Sequence, residues 1–324
     1  MSSMLFLNMP SETLKKDYKK KFLGDIVKRV KGELGGRKLS DAAREILLPH
    51  WNTDHPDTSI LEELLVTEPK RLKELNDELW DKLQKLPCWK RPDKKRLNEV
   101  FDYEHLIDKS KSKSYWLAEK VGWNTCAYCN RTYTLTVVKD GGKNDKNRIV
   151  RPTFDHWYAH ADYPLMSMSL CNLIPSCSIC NSSVKTSTPF DLATHIHPYL
   201  HEAGHPNLRF EASKIADVPA KWTVEIKTTP GSKEEKTIAD LKLNEVYRYH
   251  GELEVKDLME FKEKYPDGYL KDLMEKVLKS SCGKLTLGDV YRMLFGAEID
   301  EARFLDRPLS KMKYDLLKEM GVVK

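Results

Sequence analysis

Four cysteines constrain this chain more than anything else in it. They form two pairs, Cys126-x-x-Cys129 and Cys177-x-x-Cys180, with 47 residues between the pairs. Each pair makes a tight knuckle presenting two thiolates, and four soft ligands complete a closed tetrahedral Zn²⁺ site. A single pair would fit a redox dithiol or buried thiols as well; two pairs point to structural zinc. The chain has 7 cysteines, an odd number, which argues against a disulfide framework. Cys88, Cys171 and Cys282 stand apart, and Cys171 is the spare candidate for a ligand, although Asn172 beside it suggests another duty there. The gap between the knuckles exceeds that of a simple zinc ribbon, so something is inserted between them.

With 324 residues, 40% hydrophobic and 32% charged, the chain can bury a sizeable core and divides into two or three units. It is too apolar for wholesale disorder and too poor in Gly and Pro for a fibrous protein. The apolar opening Met4–Met9 is too short for a signal peptide, and no stretch reaches the length of a membrane span. A soluble, cytoplasmic protein with no membrane partner is expected. The net charge of +5 permits a nucleic-acid partner without requiring one. Basic runs such as Lys15–Lys21 and Lys90–Arg96 read most simply as solvated helix faces.

An α+β fold is expected, with a small β-containing centre between mainly helical flanks. Residues 1–118 read as helical. Leu14, Tyr18, Phe22, Ile26, Val27 and Val30 form a stripe in a helix closed by Gly35 and Gly36, and Ser40 caps a second helix ended by Pro49. Ser59–Val66, Pro69–Leu86, Arg96–Leu106 and Tyr115–Val121 complete that region. In the centre, 119–206, Thr132–Val138 and Ile149–Phe154 read as strands about a turn at Gly141 and Gly142. In the tail, 207–324, Trp222–Ile226 alternates as a strand, and Asn244–Lys264 reads as one long helix. Shorter helices are expected at Leu270–Leu278, Leu287–Leu294 and Ser310–Met320.

The insert between the knuckles carries Asp155-His156-Trp157, Tyr163-Pro164 and then the run Asn172–Lys185, which contains the second cysteine pair and Asn181. This order, with Cys126–Asn130 before it, resembles the HNH endonucleases of the ββα-metal superfamily. The closest variety is the HNH nucleases of bacterial anti-phage defence, such as the nuclease partner of the Septu system and similar retron-linked proteins. The resemblance covers roughly residues 120–200. It implies a zinc-braced nuclease core and hydrolysis of DNA phosphodiester bonds, leaving a 5′-phosphate and a 3′-hydroxyl. It also implies work beside an ATPase subunit. No Gly-x-x-x-x-Gly-Lys loop occurs here, so ATP hydrolysis would come from another chain. Asp306–Leu317 is similar to segments near the end of such proteins.

Phosphodiester hydrolysis needs a base for the attacking water and positive charge for the phosphate and leaving oxygen. His156 suits the base, because a neutral imidazole is available at pH 7. The resemblance implies that Asp155, adjacent on a strand, twists onto a catalytic metal. It also implies that Asn181, in place of the last HNH histidine, offers its amide oxygen to the same ion. One carboxylate, one amide oxygen and waters suit Mg²⁺ or Mn²⁺. Asn172 resembles the central HNH asparagine, which orients the loop carrying the base. Cys177, Cys180 and Asn181 fall on one flank of a short helix by i, i+3 and i, i+4 spacing, so zinc would steady Asn181. Lys185, one turn on, is placed to meet a phosphate. Arg148 and Arg151, with their basic neighbours on the hairpin, read as DNA-backbone contacts or as a solvated surface. His160 stands where relatives often carry lysine and is a candidate substrate contact.

His201, Glu202 and His205 match the H-E-x-x-H of zinc proteases, but Gly204 and Pro206 break the helix that motif needs. His195 and His197 belong to a run expected to pack near the site. The competing reading of the whole chain is a zinc-stabilised nucleic-acid-binding module without cleavage activity.

Overall fold

The computed structural model describes residues 4–34, 38–87, 89, 91–139, 145–186, 188–200, 207–216, 221–265, 269–272 and 286–323. The expected α+β class holds: helices flank three antiparallel two-stranded sheets. The H-E-x-x-H match and the Gly35–Gly36 stop lie outside the described residues, as do Cys88, Cys282 and the expected helix beyond 272.

Helix α1 (Glu12–Lys31) buries Leu14, Tyr18, Phe22, Ile26 and Val30, one residue per turn, so its apolar stripe faces the core throughout. The Ser11 hydroxyl accepts the Leu14 N–H at 3.2 Å, satisfying an orphan donor of the first turn. The helix ends at Gly32, whose φ of 77° lets its N–H turn back onto the carbonyls of the last turn. Helices α2 (Asp41–Leu47), α3 (Ser59–Val66), α4 (Pro69–Gln84), α5 (Arg91–Val100) and α6 (Lys111–Val121) follow. The expected Arg96–Leu106 helix is instead α5 plus a separate π-wound turn, Glu104–Asp108.

The central strands are short: β1 (Val137–Val138) pairs with β2 (Arg148–Val150), and β3 (Thr153–His156) with β4 (Leu173–Ser176). The expected strand Thr132–Val138 is regular only at its end, because Thr125 and Tyr133 bridge within the first knuckle and leave the middle of the run outside any ladder. In the tail, β5 (Leu208–Lys214) pairs with β6 (Trp222–Thr228). The expected helix Asn244–Lys264 is three pieces, Leu243–Arg248, Tyr249–Glu252 and Glu254–Lys264. The break is steric: Gly251 lies against the β6 backbone, where a Cβ would sit 2.2 Å from the Trp222 carbonyl oxygen.

One hydrophobic core runs from Met4 to Val323. The Tyr18 hydroxyl donates to the Met168 carbonyl at 2.9 Å, and the Leu5 N–H to the Ala127 carbonyl at 2.7 Å. No described helix is long and apolar enough to cross a membrane.

Candidate metal centre and active site

All four paired cysteines are buried, and their sulfurs lie within 4.8 Å of one another. Tetrahedral Zn–S bonds of about 2.3 Å place sulfurs about 3.8 Å apart, so this cluster can hold a structural metal such as zinc. The Arg131 N–H points at Cys129 Sγ (3.5 Å) and the Cys180 N–H at Cys177 Sγ (3.4 Å), dipoles that favour thiolate. Without a cation burial pushes the Cys126 thiol well up, since four crowded sulfurs cannot all ionise. Cys171 stays outside the cluster, a buried thiol pushed up to about 12 by burial.

The first knuckle is tied to the tail by Asn130, fully buried and held at φ 46°, a conformation that Asn tolerates better than most residues. Its amide donates to Thr125 Oγ1 (2.9 Å) and to the carbonyls of Phe304 (2.8 Å) and Arg307 (3.1 Å), and its own carbonyl accepts the Leu309 N–H at 2.6 Å. The segment Asp306–Leu317 thus bonds to Asn130 at the end of the first knuckle.

Strands β3 and β4 set Asp155 opposite Ile174 and His156 opposite Leu173. Neighbours on a strand face opposite ways, and these two do. The carboxylate of Asp155 is buried. It accepts the Tyr128 hydroxyl at 2.6 Å and pairs with Lys185 Nζ at 3.1 Å. Burial pushes this carboxyl upward, while the lysine charge and the tyrosine hydrogen bond oppose the rise. His156 sits at the strand end, partly buried, with the Tyr103 ring edge-on at 4.6 Å and the His160 ring at 5.1 Å. Its Nε2 lies 2.9 Å from the Ser167 carbonyl. A carbonyl only accepts, so Nε2 carries the proton and Nδ1 keeps the lone pair. Burial pushes this imidazole down to about 3, against the pull of the Ser167 carbonyl.

Asn172 fixes the loop between them. Its amide oxygen accepts the Tyr158 N–H at 2.7 Å, and its NH₂ donates to the carbonyls of Tyr158 and Met166, both at 3.1 Å. The Trp157 N–H bonds the Asn172 carbonyl at 2.9 Å. The side chain is fully buried and every contact is to backbone, which suits an orienting role rather than a reacting one. Trp157 itself donates its indole N–H to Ile196 at 3.1 Å and packs on His197 at 4.5 Å; His195 pairs with Asp240 at 2.8 Å. The histidine run is therefore packing, as expected.

The helix, Lys185 and Arg151 differ from expectation. The helix bearing Cys180, Asn181 and Lys185 is π-wound, Ile179–Lys185, rather than α-helical. Asn181 is half-buried there, with its N–H on the Cys177 carbonyl at 3.1 Å, and no hydrogen bond joins its amide to Asp155 or His156. Lys185 is not presented to solvent for a phosphate. It is 2% exposed, and its ammonium also donates to the His156 carbonyl at 2.7 Å. Arg151 is likewise engaged, by the Asp108 carboxylate and the Pro152 carbonyl. Arg148 is half-buried on β2, and His160 is exposed.

Tyr128 and Tyr103 are the residues sequence reasoning passed over. Tyr128 stood inside the Cys126–Cys129 pair and was legible as the knuckle's centre; nothing in the sequence joins Tyr103 to His156, 53 residues away. Comparisons with protein-family models, curated proteins and solved structures find no match to this chain.

Proposed function

We propose that this chain is an HNH-type endonuclease that hydrolyses DNA phosphodiester bonds, with His156 as the general base. The observation that carries the reading is the tautomer of His156. Its Nε2–H is held by the Ser167 carbonyl, and no described residue hydrogen-bonds Nδ1. An imidazole locked in one orientation with a free lone pair can take a proton from an attacking water. Asn172 steadies the loop that follows it, and the cysteine cluster, metallated by zinc, braces the hairpin beneath. The choice of DNA, the role in anti-phage defence and the ATPase partner rest on the resemblance of Asp155–Trp157 and Asn172–Lys185 to that family. His160, exposed beside His156, is the one expected substrate contact on the surface next to the base.

A catalytic Mg²⁺ or Mn²⁺ belongs to the same proposal, with Asp155 and Asn181 as its oxygen donors. The donor set does not fit such an ion as it stands, because a lysine ammonium already neutralises Asp155. That pair is also what favours the second reading, a zinc-stabilised DNA-binding module that does not cut.

The test is an assay of the zinc-loaded chain on linear and circular duplex DNA with Mg²⁺, Mn²⁺ or EDTA, alone and with a candidate ATPase subunit. Cleavage leaving 5′-phosphate ends supports the nuclease. Binding without cleavage under every condition supports the module.

A further inference from the structure

The cation that Asp155 faces is part of the protein. Lys185 Nζ lies 3.1 Å from Asp155 Oδ2 and 3.4 Å from Oδ1, donates to the His156 carbonyl at 2.7 Å, and stands 4.9 Å above the centre of the Phe190 ring. A carboxylate, a carbonyl and an aromatic face together make a complete ammonium site. The carboxylate is 4% exposed and the lysine 2%, so water does not compete for either. Lysine seldom reaches such burial without a dedicated partner. Immediately after Lys185 the chain turns at Thr186, with φ 48° and ψ −120°, a left-handed φ that a β-branched residue adopts only under constraint.

We infer that Lys185 is the resident cation of this site, and that its ammonium keeps a divalent ion off the Asp155 carboxylate. The inference rests on Asp155 being the carboxylate donor of the proposed nuclease. The Lys185 ammonium lies against both Asp155 oxygens and neutralises the carboxylate, so its charge opposes a second cation there.

Mn²⁺ binding to the full-length, zinc-loaded chain tests this without any reference to cleavage, by electron paramagnetic resonance titration of free Mn²⁺. The wild type is expected to bind no Mn²⁺ at concentrations below about 1 mM, a level at which an unobstructed acidic oxygen site would begin to fill. Lys185→Gln is expected to bind one Mn²⁺ per chain at least tenfold more tightly than wild type, and Asp155→Asn combined with Lys185→Gln is expected to lose it. Zinc content and circular dichroism verify that each variant is folded. The wild-type titration stands alone should Lys185→Gln fail to fold: tight Mn²⁺ binding by the wild type overturns the inference. So does a folded Lys185→Gln that binds Mn²⁺ no better than wild type. Absence of DNA cleavage bears on the nuclease reading and leaves this result unaffected.

Discussion

Tyr128, between the two cysteines of the first knuckle, donates its hydroxyl to Asp155 on β3 at 2.6 Å, so the cysteine cluster and the candidate site are joined by a hydrogen bond. Both groups are buried, and burial keeps the tyrosine hydroxyl well above its ordinary range, so it remains a donor. Tyr128→Phe preserves the ring and removes this donor from a buried carboxylate. A loss of about 1–3 kcal/mol of stability is expected with zinc content unchanged, measured by urea unfolding and metal analysis.

Lys185→Met leaves the Asp155 carboxylate buried and unpaired. Breaking one partner of a buried pair costs about 3–5 kcal/mol, whereas replacing both is far cheaper. In a double-mutant cycle, Asp155→Asn is expected to restore much of the stability lost in Lys185→Met. Additive losses would show that the two side chains do not interact in solution.

Asn172 is fully buried and makes three hydrogen bonds to backbone. Asn172→Asp turns the donating edge into an acceptor facing the carbonyls of Tyr158 and Met166. It is expected to destabilise the protein by more than about 2 kcal/mol and by more than Asn172→Ala. Thermal and urea unfolding of the two variants decide the order.

The pH dependence of stability follows from His156. Its folded-state value is pushed down to about 3, below its ordinary value near 6.5. The unfolded chain therefore binds the proton first. The stability associated with a neutral imidazole is complete above about pH 6.5 and declines as pH falls toward about 3. Wild type is expected to lose more stability than His156→Asn between about pH 7.5 and pH 5.5, a window chosen to keep the thiolates metallated. Equal losses in urea midpoint would place His156 in water.

Local signals carried the parts of this protein that were legible in advance. The cysteine spacing identified the cluster, Ser40 and Ser59–Val66 marked helices to the residue, and the α1 stripe named its buried face. What escaped was set by distant contacts. Gly251 breaks a periodic helix only because β6 packs on it, and Arg151 is occupied by Asp108, 43 positions earlier. Lys185 looked like a surface cation by spacing; the π-winding and the buried Asp155 turn it inward. Leu208–Lys214 is different: Leu208, Arg209, Phe210, Glu211 and Ala212 alternate as a half-buried strand does, a local signal, and β6 pairs with them.

The measurement that bears most directly on the proposed base is His156→Ala, assayed in parallel for DNA cleavage and DNA binding at equal zinc content. General-base catalysis contributes about 10²–10⁴-fold, so cleavage is expected to fall by that factor while binding stays close to wild type. Cleavage at the wild-type rate by the folded, zinc-loaded variant would contradict the assignment of His156.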